Sequence, residues 1–165
     1  MVDEMTTKPE SDREKVRATL LARFHRRGGP TAGTADFRSL TADRQQQVLT
    51  AATLAPEELP IILSWRDDHS WLLVTSHRVA WKNGLAVESL KGSQIEKVGA
   101  AQDLATGRLA LNGAPLVLTV TTSRGQDVAL PVEPDKTAYG ALRDLLTFIA
   151  ASAQQKPAAA PVRRR

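Results

Sequence analysis

His69 and His77 flank a short apolar run, and Asp67 and Asp68 directly precede the first of them. Imidazole and carboxylate are the groups that hold borderline divalent metals. The spacing, however, contains no His-x-x-x-His or comparable ligand pair. A solvated turn, closed by an Asx-type backbone bond, accounts for the same residues. No metal is expected. Ser, His and Asp could also form a hydrolytic triad, but no Gly-x-Ser-x-Gly elbow is present to present the nucleophile. Gly28-Gly29 follows a helical pattern instead of opening one, so it does not cradle phosphate. There is no cysteine, which excludes disulfides, thiolate metal sites and a cysteine nucleophile. The residues name no reaction. No catalytic group and no cofactor is expected, and an uncharacterised enzyme is kept as the remotest reading. Convergence of His69, His77 and the Asp67/Asp68 pair in one pocket would favour it.

The more telling residues are Trp65, Trp71 and Trp81, with Arg78 between the last two. Trp and Arg dominate binding hot spots, and Trp is equally suited to filling a core. In Trp71-Leu-Leu-Val-Thr-Ser-His-Arg-Val-Ala-Trp81, Trp71 and Leu73 would share one face of a strand, with Leu72 and Val74 on the other. A strand apolar on both sides must be covered by the chain's own helices or by a partner. These four residues are the candidate interaction surface.

The elements that position them follow from the pattern of apolar residues. Residues 1–10 are polar and expected to be disordered. Ser11-Asp-Arg-Glu14 reads as a capping box, opening a helix to about Arg27 with Val16, Leu20, Leu21 and Phe24 as its apolar stripe. Thr31 to Ser39 reads as a loop. A second helix follows the N-cap candidate Thr41 and runs to about Leu54, ended by Pro56. Short alternating strands then occupy Pro60 to Val132. They include Ile61–Trp65, Trp71–Thr75, Arg78–Lys82, Leu85–Leu90, Ile95–Ala101, Arg108–Leu111, Pro115–Thr122 and Asp127–Val132, with Asn83-Gly84 and Asn112-Gly113 as hairpin turns. Leu116, Leu118 and Val120 share one face, as do Val128, Leu130 and Val132. Asp135 is the N-cap of a last helix to about Ala153, whose core stripe is Leu142, Leu145, Leu146 and Ile149. The Ala/Pro/Arg tail, 154–165, is expected to be disordered. The division is thus a helical extension (11–59), a β-rich domain with its closing helix (60–153), and the two ends.

The chain has 165 residues and a formal net charge of +4. From Pro60 to Pro134 its acids and bases balance, and the surplus base lies toward the ends, above all at Arg163, Arg164 and Arg165. A nucleic-acid surface should concentrate charge on one folded face, so no specific nucleic acid is expected. The three terminal arginines could give weak peripheral contact with anionic membrane, at about 1 kcal/mol each before salt screening. No apolar run approaches the roughly 20 residues of a membrane span, and the polar start is no signal peptide. A cytoplasmic location is expected.

The Trp71–Trp81 hairpin, an apolar run followed by Thr, a polar pair, Arg and a second apolar run, resembles that of bacterial pleckstrin-homology-like (PH-like, GRAM-like) domains. Ser93-Gln-Ile95-Glu-Lys-Val98 resembles the Ile-x-x-Val segment that follows it there. The resemblance covers about Pro60 to Ala153. It implies an α+β fold: a PH-like β-barrel or sandwich of about seven antiparallel strands capped by a C-terminal helix, here preceded by two N-terminal helices. It also implies non-enzymatic binding. Eukaryotic members of this family often bind phosphoinositides through several Lys/Arg near the first hairpin. Here that place holds Trp65-Arg66-Asp67-Asp68-His69, and one Arg beside two Asp cannot neutralise a polyphosphate. What the resemblance carries over is contact with a protein partner or self-association.

Overall fold

The computed structural model describes residues 11–100 and 118–155. The expected strand Arg108–Leu111 with its Asn112-Gly113 turn, the segment 1–10 and the tail from Lys156, including Arg163, Arg164 and Arg165, lie outside the described residues. Helix α1 spans Asp12–Arg26 and α2 spans Ala42–Ala52. Strand β1 (Thr34–Asp36) lies between them, followed by a single 3-10 turn at Phe37–Ser39. The strands β2 (Pro60–Asp67), β3 (Ser70–Thr75), β4 (Arg78–Asn83) and β5 (Ala86–Lys91) follow as a meander. After the 3-10 turn Gly92–Gln94 come β6 (Ile95–Ala100), β7 (Leu118–Thr122), β8 (Asp127–Leu130) and helix α3 (Lys136–Gln154).

The fold is α+β, with eight described strands in two antiparallel sheets ordered β1-β2-β3-β4-β5 and β6-β7-β8. The expected barrel is corrected here: among the described residues the two sheets share no ladder, so the arrangement is a sandwich with helices. β1 is a further correction, since Thr31–Ser39 was expected to be loop. Its three residues pair with Ser64, Leu63 and Ile62 of β2, a partner about thirty residues away, and three residues are too few to display alternation.

Local chemistry explains most boundaries. Thr41 caps α2 by accepting from the Arg44 amide, and Asp135 caps α3 by accepting from the Ala138 amide. α2 ends two residues short of Leu54, because Thr53 turns left-handed at φ 49°. The Ser11 capping box does not close: Ser11 occupies the N-cap without a side-chain bond. The Glu14 carboxylate instead takes the Arg38 guanidinium at 2.8 Å, a charged donor that outcompetes a neutral amide. The β4–β5 turn also shifts by one residue. Asn83 pairs with Ala86, leaving Gly84-Leu85 as the loop. Gly84 adopts φ 82°, as the first loop position of a type II′ turn requires, and Leu85 is left 95% exposed.

β3 is buried on both faces. Leu72 and Val74 join Ile61, Ile62, Val79 and Trp81 in the main core, with Leu20, Leu21 and Phe24 of α1, Leu118 and Val120 of β7, and Leu142, Leu145 and Leu146 of α3. Trp71 and Leu73 join Leu63, Phe37, Val48 and Ala52 in a second core beneath α2. A register irregularity between Pro60 and Ile62 lets both Ile61 and Ile62 face the main core, which strict alternation forbids. The N-terminal helices therefore cover this strand from opposite sides, α1 within the main core and α2 over the outer face.

Two polar clasps tie distant parts of the chain together. Asp144 of α3 takes Arg27 at 3.1 Å and Arg23 at 3.3 Å from α1, and the Arg23 guanidinium lies 4.0 Å over the Phe148 ring. These contacts advance in opposite directions along the two helices, so α1 and α3 are antiparallel. At the far side, the buried Glu133 accepts from the Gly33 amide and the Thr34 hydroxyl, both at 2.8 Å, and from Thr31. Ser64 bridges Thr34 and the Glu133 amide. Arg23 and Arg27, at the end of α1, are thus engaged within the fold.

Trp71 is 1% exposed and Trp81 3%, so each should behave as a core residue. Trp71→Ala and Trp81→Ala are each expected to lower the unfolding free energy by about 3–5 kcal/mol, measured by urea denaturation followed by circular dichroism. A loss below about 1 kcal/mol would contradict the packing described.

Candidate binding groove

Thr75-Ser76-His77-Arg78 turns β3 into β4, and its side chains build both a clasp and the wall of a groove. The Thr75 hydroxyl accepts from the amides of His77 at 3.2 Å and Arg78 at 3.0 Å, closing the turn. It donates to Glu58 at 2.6 Å. Arg78 reaches the same carboxylate oxygen through Nε at 2.9 Å. Its Nη2 donates to the carbonyls of Ala52 at 3.1 Å and Thr53 at 3.2 Å, where α2 leaves its last acceptors unsatisfied. The Thr–polar–polar–Arg pattern of the hairpin therefore has a mechanical meaning. Thr shapes the turn, and Arg ties it to Glu58 and to the end of α2.

Glu58 is nearly sealed, with its side chain 3% exposed. Burial alone pushes its carboxyl upward. The hydrogen bonds from Arg78, Thr75 and the Ala55 amide, together with the Arg78 charge, outweigh that and hold it below its ordinary value. The Arg78 guanidinium is thus satisfied internally, not held out toward a partner.

The other expected interaction residues are likewise enclosed. Trp71 lies under α2 and Trp81 in the main core. Trp65 pairs directly with Trp71 across β2–β3; it is half-buried, with the Arg44 guanidinium 4.3 Å over its ring. The continuous Trp surface is corrected accordingly: alternation sends Trp71 and Trp81 to opposite faces of one sheet. His69 and His77 lie beyond opposite ends of β3 and do not converge. Asp67 accepts from the His69 amide at 2.8 Å, the Asx-type turn. Among the described residues no three His, Asp or Glu side chains gather as metal ligands, and no helix is long and apolar enough to cross a membrane.

Among the described residues, a groove lies open between α1, α3 and the β3–β4 turn. Val16, Leu20, Phe148 and Ile149 line it, and Lys15 and His77 stand at its edge, around a cavity of about 370 Å³. Val16 was expected in the core stripe of α1. It is instead 39% exposed and lines the cavity that lies between residues of α1 and α3. Gly92 permits the narrow end. A Cβ there would lie 2.9 Å from Ile149 Cγ2 and 3.1 Å from the Ile149 carbonyl. A second hollow of about 560 Å³ shares Val16, Ser76 and His77 and continues past Ser11, Arg13 and Glu57. The sequence signal for this site was the apolar Val16 in the first half of an otherwise polar helix start.

No protein-family model and no curated protein matches the sequence. Among solved structures, the chain is similar to a DUF1696 family protein with a pleckstrin-homology domain from Shewanella loihica PV-4. The identity is 15%, the match covers 73% of this chain and 99% of that one, and the TM-score is 0.47.

Glu58 contributes stability that is complete above the ordinary carboxylate range and disappears as pH falls through its lowered folded value. Glu58→Gln is expected to cost about 1–3 kcal/mol at neutral pH, since it leaves the half-buried Arg78 without its counter-charge. It should also flatten the acid limb of the stability–pH curve, measured by urea unfolding at successive pH values. An unchanged acid limb would show that the pair does not govern acid sensitivity.

Proposed function

We propose that this chain is a non-catalytic binding module that engages a protein partner through the α1–α3 groove. The observation that carries the reading is the contrast in apolar surface. Both Trp-bearing sheet faces are sealed by the chain's own helices, whereas Val16, Phe148 and Ile149 remain accessible in a concave site. Concave apolar surface with a polar edge is what binding sites share. The module works from the helix side of the fold, away from the acidic Arg66–His69 turn.

The arrangement around Ser76 and His77 supports binding over catalysis. Ser76 Oγ meets His77 Nδ1 at 2.8 Å. Nδ1 is the nitrogen that an orienting carboxylate takes in a Ser–His–acid triad. Glu58, the nearby buried carboxylate, is already committed to Arg78 and Thr75. A PH-like architecture used as a scaffold for protein contacts agrees with the near-neutral β-rich region.

The test is capture with the immobilised protein from its source cytoplasm, followed by reconstitution with the purified captured protein. Val16→Asp should weaken that reconstituted complex by about tenfold or more, with circular dichroism confirming an intact fold. Leu85→Asp, at an exposed apolar position on the β4–β5 loop, should leave it unchanged. Equal affinity for wild type and Val16→Asp overturns the reading. A dimer seen by light scattering and abolished by Val16→Asp would likewise overturn the partner assignment in favour of a second copy.

A further inference from the structure

The ionisable residues lining the 370 Å³ cavity are Lys15, His77 and Arg78, without a single carboxylate among its lining residues. Arg78 is neutralised by Glu58 and two helix-end carbonyls. The other two keep their donors. Lys15 stands only 3.9 Å from Asp12, with side chains 63% and 103% exposed, an ion pair too solvated to hold it. Ser76 Oγ already accepts from the Leu59 amide at 2.9 Å. Ser76 Oγ also pairs with His77 Nδ1 at 2.8 Å; with the hydroxyl assigned as donor in that pair, the remaining ring hydrogen of His77, a residue that lines the groove, sits on Nε2.

The shape adds a second constraint. The two hollows share Val16, Ser76 and His77 and form a track along α1, suited to an elongated ligand. Its walls alternate apolar groups with Thr19, Ser76 and Ser152, which can pair with backbone amides. An acyl chain has no use for such groups. Asp12 and Glu57 enter only in the second hollow, so the track has a cationic end and a mixed end.

Resting on the proposed protein-binding function, we propose that the groove accepts an acidic peptide segment of the partner. One bulky apolar side chain seats against Val16, Phe148 and Ile149, and a neighbouring carboxylate lies beside Lys15 and His77. The apolar anchor supplies affinity and the carboxylate supplies register.

Three fluorescein-labelled peptides of one sequence, a central Trp flanked by Glu, by Gln or by Lys, are titrated against the full chain by fluorescence polarisation. The order expected is Glu, then Gln weaker by about three- to fivefold, then Lys weaker by about tenfold or more. Lys15→Glu should reverse the order of the Glu and Lys peptides, a result that loss of folding cannot produce. Three peptides of equal affinity, all lost in Val16→Asp, overturn the charge preference while leaving the groove as the partner site. No saturable binding by any peptide, alongside saturable binding of decanoate, overturns the peptide assignment. Peptide binding that Val16→Asp leaves intact overturns both this inference and the groove reading beneath it.

Discussion

Glu58 is a carboxylate held inside the protein, and a buried charge survives only when it is paired and hydrogen-bonded. Its partners define the architecture around it. Arg78 begins β4, Thr75 ends β3, and the Ala52 and Thr53 carbonyls that share Arg78 end α2. One ion pair thus fixes the hairpin turn, the exit of the second helix and the entry into β2 at a single point. Replacing Arg78 with Lys would not conserve this, because one ammonium cannot serve a carboxylate and two carbonyls from a rigid planar fork.

The sheet anchored by that point has no free face along β3. α1 and α2 take its two sides, and this decides where the protein can meet anything else. Apolar surface covered within the chain contributes to stability and is withdrawn from recognition. The tryptophans, the residues most suited to binding, are therefore structural, and concave accessible apolar surface lies between α1 and α3. The Arg23–Asp144–Arg27 cluster ties α1 to α3 outside the residues that line the groove.

Much of the fold was legible because it rests on local rules. Thr41 and Asp135 were readable as caps, the Leu142–Ile149 stripe as a core face, and the two-sided hairpin as a strand needing two covers. The failures share a cause in long-range competition. Ser11 and Glu14 had the right spacing for a capping box until Arg38, brought in by the fold, claimed the glutamate. β1 exists because β2 offers an edge, which three residues cannot announce. The site was less legible than the fold. Trp and Arg carry the same letters whether they anchor a partner or fill a core, and only the placement of α2 separated the two. Val16 continued the stripe of Leu20, Leu21 and Phe24, and only its isolation in a polar helix start hinted that it would stay exposed.

Arg23 and Asp144 lie 121 residues apart, and the main core includes α1 beside α3. During synthesis α1 emerges long before the helix that completes its packing. Until then Leu20, Leu21 and Phe24 have only part of their eventual neighbours, and such exposed apolar surface is a target for chaperones and for misassociation. Long-range closure of this kind also slows folding. The main core of this protein is therefore completed late, only once the chain has been made through Ala150.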